Sequence, residues 1–131
     1  MVNKSNLPLS PFGAHIGAKI IDYSAGVAHC RIVLEDFHQN TGGRVHGGVL
    51  TSLADTTAGV AVRTIRPAGK LSATTDLNIA FIRPPVGKTL EAHARIIHAG
   101  RRLFRCEVEI FSADKLIAKT NATFMIVAMP T

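Results

Sequence analysis

The chain has 131 residues, 47% of them hydrophobic, with a mean hydropathy of +0.22 and no tryptophan. That length and apolar content suit a single domain over residues 1–131 with an aliphatic core, and they exclude a disordered chain. The net charge of +6 comes from basic residues spread along the chain, clustering only at Arg101, Arg102 and Arg105 without interleaved aromatics, so no nucleic-acid partner is expected.

Residues 1–12 carry two prolines and read as a lead-in or one loose helical turn. No continuous apolar signal-peptide segment opens the chain, and no apolar run reaches the roughly 18 residues of a membrane span, so a soluble, cytoplasmic protein with no membrane partner is expected. Residues 15–24 (HIGAKIIDYS) have strand character, and residues 27–34 (VAHCRIVL) alternate as a second strand. A polar, turn-rich stretch follows. The pattern then predicts a helix over residues 48–66, ended by Pro67. The second half is β throughout. Strands are predicted at 71–82, 89–99, 103–112 and 116–127, with turns at Pro67-Ala68-Gly69, Pro85-Val86-Gly87, Gly100-Arg101-Arg102 and Ala113-Asp114. The order β-β-α-β-β-β-β implies an α+β fold, one long helix against an antiparallel sheet of about six strands. The last four strands read as a meander. Open sheet edges are commonly covered by a second copy of the chain.

Cys30 and Cys106 fall inside separate strands and in no metal-binding spacing, so both are expected as buried free thiols. No two of the six histidines have the spacing of a helical metal site, and no metal or cofactor is expected.

Residues 40–66 (NTGGRVHGGVLTSLADTTAGVAVRTIR) concentrate the chemistry. At 100° per residue, Leu50, Leu53, Ala54, Thr57, Ala58, Ala61 and Ile65 form one apolar face for the sheet. Asp55 lies at its border among Gly48, Thr51, Ser52, Gly59 and Val62, mostly small neighbours that leave room above the carboxylate. Paired glycines at the helix start expose backbone N–H groups that can hold an anion. If the N–H of Gly47 or Gly48 binds a developing oxyanion while Asp55 activates water, both must reach one carbonyl. Gly47 and Asp55 are eight residues apart, about 12 Å along a helix. One chain can hardly deliver both, whereas two antiparallel copies can. The same residues also have plainer readings. Asp55 could bond a neighbouring hydroxyl, His46 could be structural, Asn40 could form a turn, and Thr74 and Thr75 could be ordinary strand residues.

Asn40-x-x-Gly43-x-x-His46-Gly47-Gly48, then Leu53-Ala54-Asp55, then Asp76-Leu77-Asn78-x-x-Phe81-x-Arg83-Pro84, resemble the hotdog-fold acyl-CoA thioesterases. The likeness is to the phenylacetate-pathway branch of the 4-hydroxybenzoyl-CoA thioesterase superfamily and covers about residues 13–128. It implies a hotdog fold, a long central helix wrapped by the sheet. It also implies homodimers with shared active sites, usually paired into tetramers. Carried over by motif, Asp55 is the general base or nucleophile, and the Gly47 N–H polarises the thioester carbonyl with help from Asn40. Thr74 orients the water, and His46 shapes the site near the sulfur. Gly48 adjoins the substrate. Coenzyme A enters as part of the substrate, and Arg83, Arg101 and Arg102 are candidates to meet its phosphates.

The resulting expectation is hydrolysis of an aliphatic or aryl acyl-CoA to the free acid and coenzyme A. The alternative is a non-catalytic acyl-CoA-binding or regulatory module, which would have no need of the carboxylate. A hotdog dehydratase would require a catalytic histidine in other motifs, which the sequence lacks.

Overall fold

The computed structural model describes residues 7–129. Ser10 caps a short helix α1 (Pro11–His15), its hydroxyl accepting the Gly13 N–H at 3.0 Å, with proline in the first turn where no N–H is needed. Residues 15–17, expected in the first strand, instead end this helix and turn through Gly17 at φ +87°. Strand β1 is therefore Ala18–Ser24, antiparallel to β2 (Val27–Val33). A 3-10 turn (Asp36–His38) and a glycine-rich loop lead to the long helix α2 (Gly47–Ile65). Four strands follow: β3 (Lys70–Phe81), β4 (Thr89–Ala99), β5 (Leu103–Ser112) and β6 (Lys115–Ala128).

All six strands form one antiparallel sheet in the order β1-β2-β4-β5-β6-β3. The expected four-strand meander is corrected to three. β4, β5 and β6 run consecutively, while β3 lies at the far edge against β6, with Lys70 opposite Ala128 and Phe81 opposite Ala118. The link through residues 82–88, with Pro84 and Pro85, is too long and too poor in N–H donors to close a hairpin. Among the described residues, β3 and β1 are the two edges.

Helix α2 lies across the inner face of the sheet, chiefly over β2, β4 and β5. Leu50, Leu53, Ala54, Thr57, Ala58 and Ala61 are buried as the helical period requires, against Cys30, Ile32, Leu90, Ala92, Val108 and Ile110. Val62, placed beside Asp55 by the period, is buried as well, while Ile65 is only half-buried. The sheet and the residues before β1 curl around the helix and cover more than one stripe. Small residues at 54, 57, 58 and 61 let the helix sit close to the strands. Thr57 is fully buried, and its hydroxyl is satisfied by the Leu53 carbonyl at 2.7 Å. Both cysteines are free and buried, and burial pushes the Cys106 thiol up to about 12. The β5–β6 turn places Ala113 and Asp114 in the left-handed region, at φ 49° and 63°. Among the described residues, no helix is long and apolar enough to cross a membrane.

Candidate active site

Asp55 sits half-buried in the middle of α2 and accepts a hydrogen bond on Oδ1 from the Thr74 hydroxyl at 2.7 Å. The bond depends on an irregularity in β3. Thr74 pairs with Phe124 and Asp76 with Thr123, so Thr75 is an extra, unpaired residue. Such a bulge bends the strand and re-aims its side chains. Here it turns Thr74 onto the helix while the Thr75 hydroxyl donates to the Thr123 carbonyl at 3.2 Å. Above the Asp55–Thr74 pair opens a cleft of about 500 Å³. Leu9, Phe12, Gly59 and Phe124 wall it, and Arg63 and Arg66 line it further along the helix.

The start of α2 is built by the loop before it. The Asn40 Oδ1 accepts from the Gly42 N–H at 2.8 Å and the Arg44 N–H at 3.1 Å, and Gly43 turns through φ +78°. These bonds fix the amide orientation and leave the Asn40 NH2 group free to donate elsewhere. Fully buried His38 braces the loop from below. Its Nδ1 accepts the Glu35 N–H at 2.9 Å, its Nε2 donates to the Ile16 carbonyl at 2.7 Å, and its own carbonyl accepts the His46 N–H at 2.8 Å. His46 caps the helix, Nδ1 accepting the Gly48 N–H at 2.8 Å. This bond engages Gly48. Gly47, at the first helical position, has no intrahelical acceptor for its N–H. It opens into a second cleft of about 370 Å³ with Asn40, Leu50, Phe81 and Arg83. The Phe81 ring would lie 3.3 Å from a Cβ at Gly47, so only glycine fits without displacing the ring.

The predicted residues thus divide into two groups. Asp55 and Thr74 share one cleft, Asn40, Gly47 and Arg83 share the other, and the two clefts have no lining residue in common. His46 and Gly48 line neither; they form the cap between them. Arg101 and Arg102 are exposed in the β4–β5 turn and also line neither. Sequence reasoning missed Arg63, Arg66, Phe81 and residues 8–12 as walls. For the two arginines a signal existed, because positions 55, 59, 63 and 66 recur on one side of a helix.

A third cleft, of about 280 Å³, lies on the outer face of the sheet beside the stacked rings of His29 and His93. Its charges are internally paired, Arg95 and Lys119 to Glu107 at 2.8 and 3.0 Å, and Lys119 also to Glu109 at 3.9 Å. Among the described residues, no three His, Cys, Asp or Glu side chains converge as a metal site.

The thioesterase superfamily model matches residues 42–119, which carry Gly47, Asp55 and Thr74. The chain belongs to the thioesterase superfamily. Membership makes it a thioester hydrolase, and its sheet around one helix is the hotdog fold. This thioesterase is similar in structure to the conserved protein PA5202 of Pseudomonas aeruginosa, with TM-score 0.87 and 34% identity, covering 91% of this chain and 95% of that one. It also resembles a variant of the phenylacetic acid degradation protein PaaI from Thermus thermophilus, with TM-score 0.81 and 28% identity, covering 88% and 98% of the two chains. The medium/long-chain acyl-CoA thioesterase YigI of Salmonella typhimurium is 28% identical over 96 residues, 63% of this chain and 62% of that enzyme.

Proposed function

We propose that the protein hydrolyses acyl-CoA thioesters at a site completed by two copies of the chain. The observation that carries this reading is the separation of the two clefts, with the carboxylate pair in one and the open N–H in the other. Two copies with their α2 helices antiparallel bring the Gly47 end of one to the Asp55 of its partner, and pairing of such dimers gives a tetramer. The thioester carbonyl oxygen accepts from the Gly47 N–H and the Asn40 NH2 group. Asp55, held by Thr74, takes a proton from water as the water oxygen attacks the carbonyl carbon. The negative charge that develops on the carbonyl oxygen is stabilised by the two donors. Collapse of this intermediate breaks the C–S bond, and coenzyme A leaves with the proton. Direct attack by the Asp55 carboxylate, through a mixed anhydride that water then opens, gives the same products from the same geometry. Arg83 at the mouth of the Gly47 cleft, with Arg101 and Arg102 as further candidates, meets the coenzyme A phosphates. No cofactor enters either route, and the protein works in the cytoplasm.

Supporting this reading are the Asp55–Thr74 bond, the open Gly47 N–H and the acyl-CoA thioesterase among the relatives. The test is steady-state thiol release from a panel of aliphatic and aryl acyl-CoAs, for wild type and Asp55→Asn. Loss of at least about 10²-fold in a folded Asp55→Asn supports catalysis by this carboxylate. A wild type that binds acyl-CoA yet hydrolyses none of the panel would make the protein a binding module.

A further inference from the structure

Asp55, Gly59, Arg63 and Arg66 follow one another along one side of α2 and line the same cleft. Arg63 lies eight residues beyond Asp55, about 12 Å along the axis. Helical Cα–Cβ bonds tilt toward the N-terminus, the end on which Asp55 lies relative to Arg63, and both side chains line the one cleft. The wall between them is apolar, made by Leu9, Phe12 and Phe124. Acyl carbons would run along this wall from a thioester placed at Asp55 and end at the arginines.

Among the described residues, the hydrogen-bond acceptors of the two arginines are uncharged. Arg63 Nη1 donates to the Pro8 carbonyl at 2.6 Å, and Arg66 Nη1 donates to the Ser72 hydroxyl at 3.2 Å. Among the described residues, no carboxylate lies within ion-pair distance of either. Arg31 and Arg95, by contrast, each hold a glutamate. Each guanidinium carries five donors, so most remain available. Burial, and after it the neighbouring Arg66, push the Arg63 guanidinium below its ordinary range.

We infer that this arginine pair is a specificity subsite for an anionic group at the far end of the acyl chain, so that acyl thioesters ending in a carboxylate are substrates. The inference rests on the acyl-CoA reading above and extends it to the acyl class. A coenzyme A phosphate fits the position less well. The nucleotide is bulky and must stay near solvent, whereas Arg63 is half-buried beneath residues 8–12. The exposed Arg44 and Arg83 beside Gly47 suit the phosphates better.

The test compares two CoA thioesters of equal chain length, a medium-chain monoacid and the corresponding diacid, and the same acids as pantetheine thioesters, which lack the nucleotide. The ratio of kcat/KM for diacid over monoacid is read for wild type, Arg63→Gln, Arg63→Lys and Arg66→Gln. The expected result is a diacid preference that falls about tenfold or more in Arg63→Gln, the loss of a charge-assisted bond. Arg63→Lys should restore part of it, and the fall should persist with pantetheine thioesters. If Arg63→Gln does not fold, the same fall in Arg66→Gln carries the test. A wild type that hydrolyses the monoacid but shows no such preference overturns the subsite alone. So does a ratio that the arginine variants leave unmoved, or an arginine effect that vanishes when the nucleotide is removed. A wild type that hydrolyses neither thioester overturns the acyl-CoA reading together with the subsite built on it.

Discussion

Proline at position 47 would delete one N–H and little else. Gly47 is the first helical residue, where proline is favoured and the N–H has no intrahelical partner. His46 already has φ −64° and ψ 134°, the extended region a following proline demands. The Phe81 ring would stand 3.3 Å from the new Cβ, but it is 55% exposed and can swing aside. Folding stability should therefore hold, or rise by about 0.4–1 kcal/mol through the lost freedom of the unfolded chain. Removal of one oxyanion donor should lower kcat by about 10²–10³-fold, roughly 2.7–4 kcal/mol. The decisive form of the experiment co-expresses Gly47→Pro with Asp55→Asn under different tags. In a mixed dimer, one composite site inherits both defects and the other inherits neither. Random pairing makes half the dimers mixed, so about a quarter of wild-type sites should return. If each site were built from a single chain, every site would keep one defect. Thiol release in the mixture no greater than the mean of the two parents would refute the shared site.

Thr74→Val removes the bond to Asp55 Oδ1 and should cost about tenfold in kcat with a smaller change in KM, while Thr74→Ser should retain most activity. Leu53 is fully buried against the sheet, and Leu53→Ala should cost about 2–5 kcal/mol, read as a lower urea midpoint with an unchanged slope. Burial would raise the Glu91 carboxyl, but bonds from Arg31, His29 and Thr89 outweigh it and hold it below its ordinary 4.5. A folded-state value below the unfolded one means that Glu91 adds stability above the ordinary carboxylate range. That stability fades as pH falls through the depressed value, so Glu91→Gln should flatten the acid limb of the urea midpoint against pH.

What the sequence made legible was local. The helix expected at 48–66 is Gly47–Ile65, and the strand expected at 103–112 is Leu103–Ser112, because periodicity, Pro67 and the turn residues all act within a few positions. Pairing across the chain was less legible. β3 reads as the start of a meander because its alternation says which face is buried and nothing about which strand lies beside it. The Thr75 bulge that brings Thr74 to Asp55 is likewise a property of the β3–β6 register. Asn40 satisfies two readings at once, its oxygen making the expected turn and its NH2 group remaining available to a ligand. Arg63 and Arg66 stand at the end of α2, where cations suit the helix dipole, and their helical spacing from Asp55 and Gly59 was the one local signal of a second role. Only the fold shows residues 8–12 closing over them.

The β5–β6 turn holds a reserve. Ala113 occupies a left-handed conformation that costs an ordinary side chain about 1–2 kcal/mol, and it is followed by Asp114 in the same region. Two-residue hairpins of this kind favour Asn-Gly, yet the chain keeps a costlier pair at a turn that lines neither the Asp55 cleft nor the Gly47 cleft. That unspent margin gives the protein room to evolve. A change here could offset a destabilising substitution along the Leu9–Phe124 wall, so the acyl preference could drift while the fold stays above its threshold.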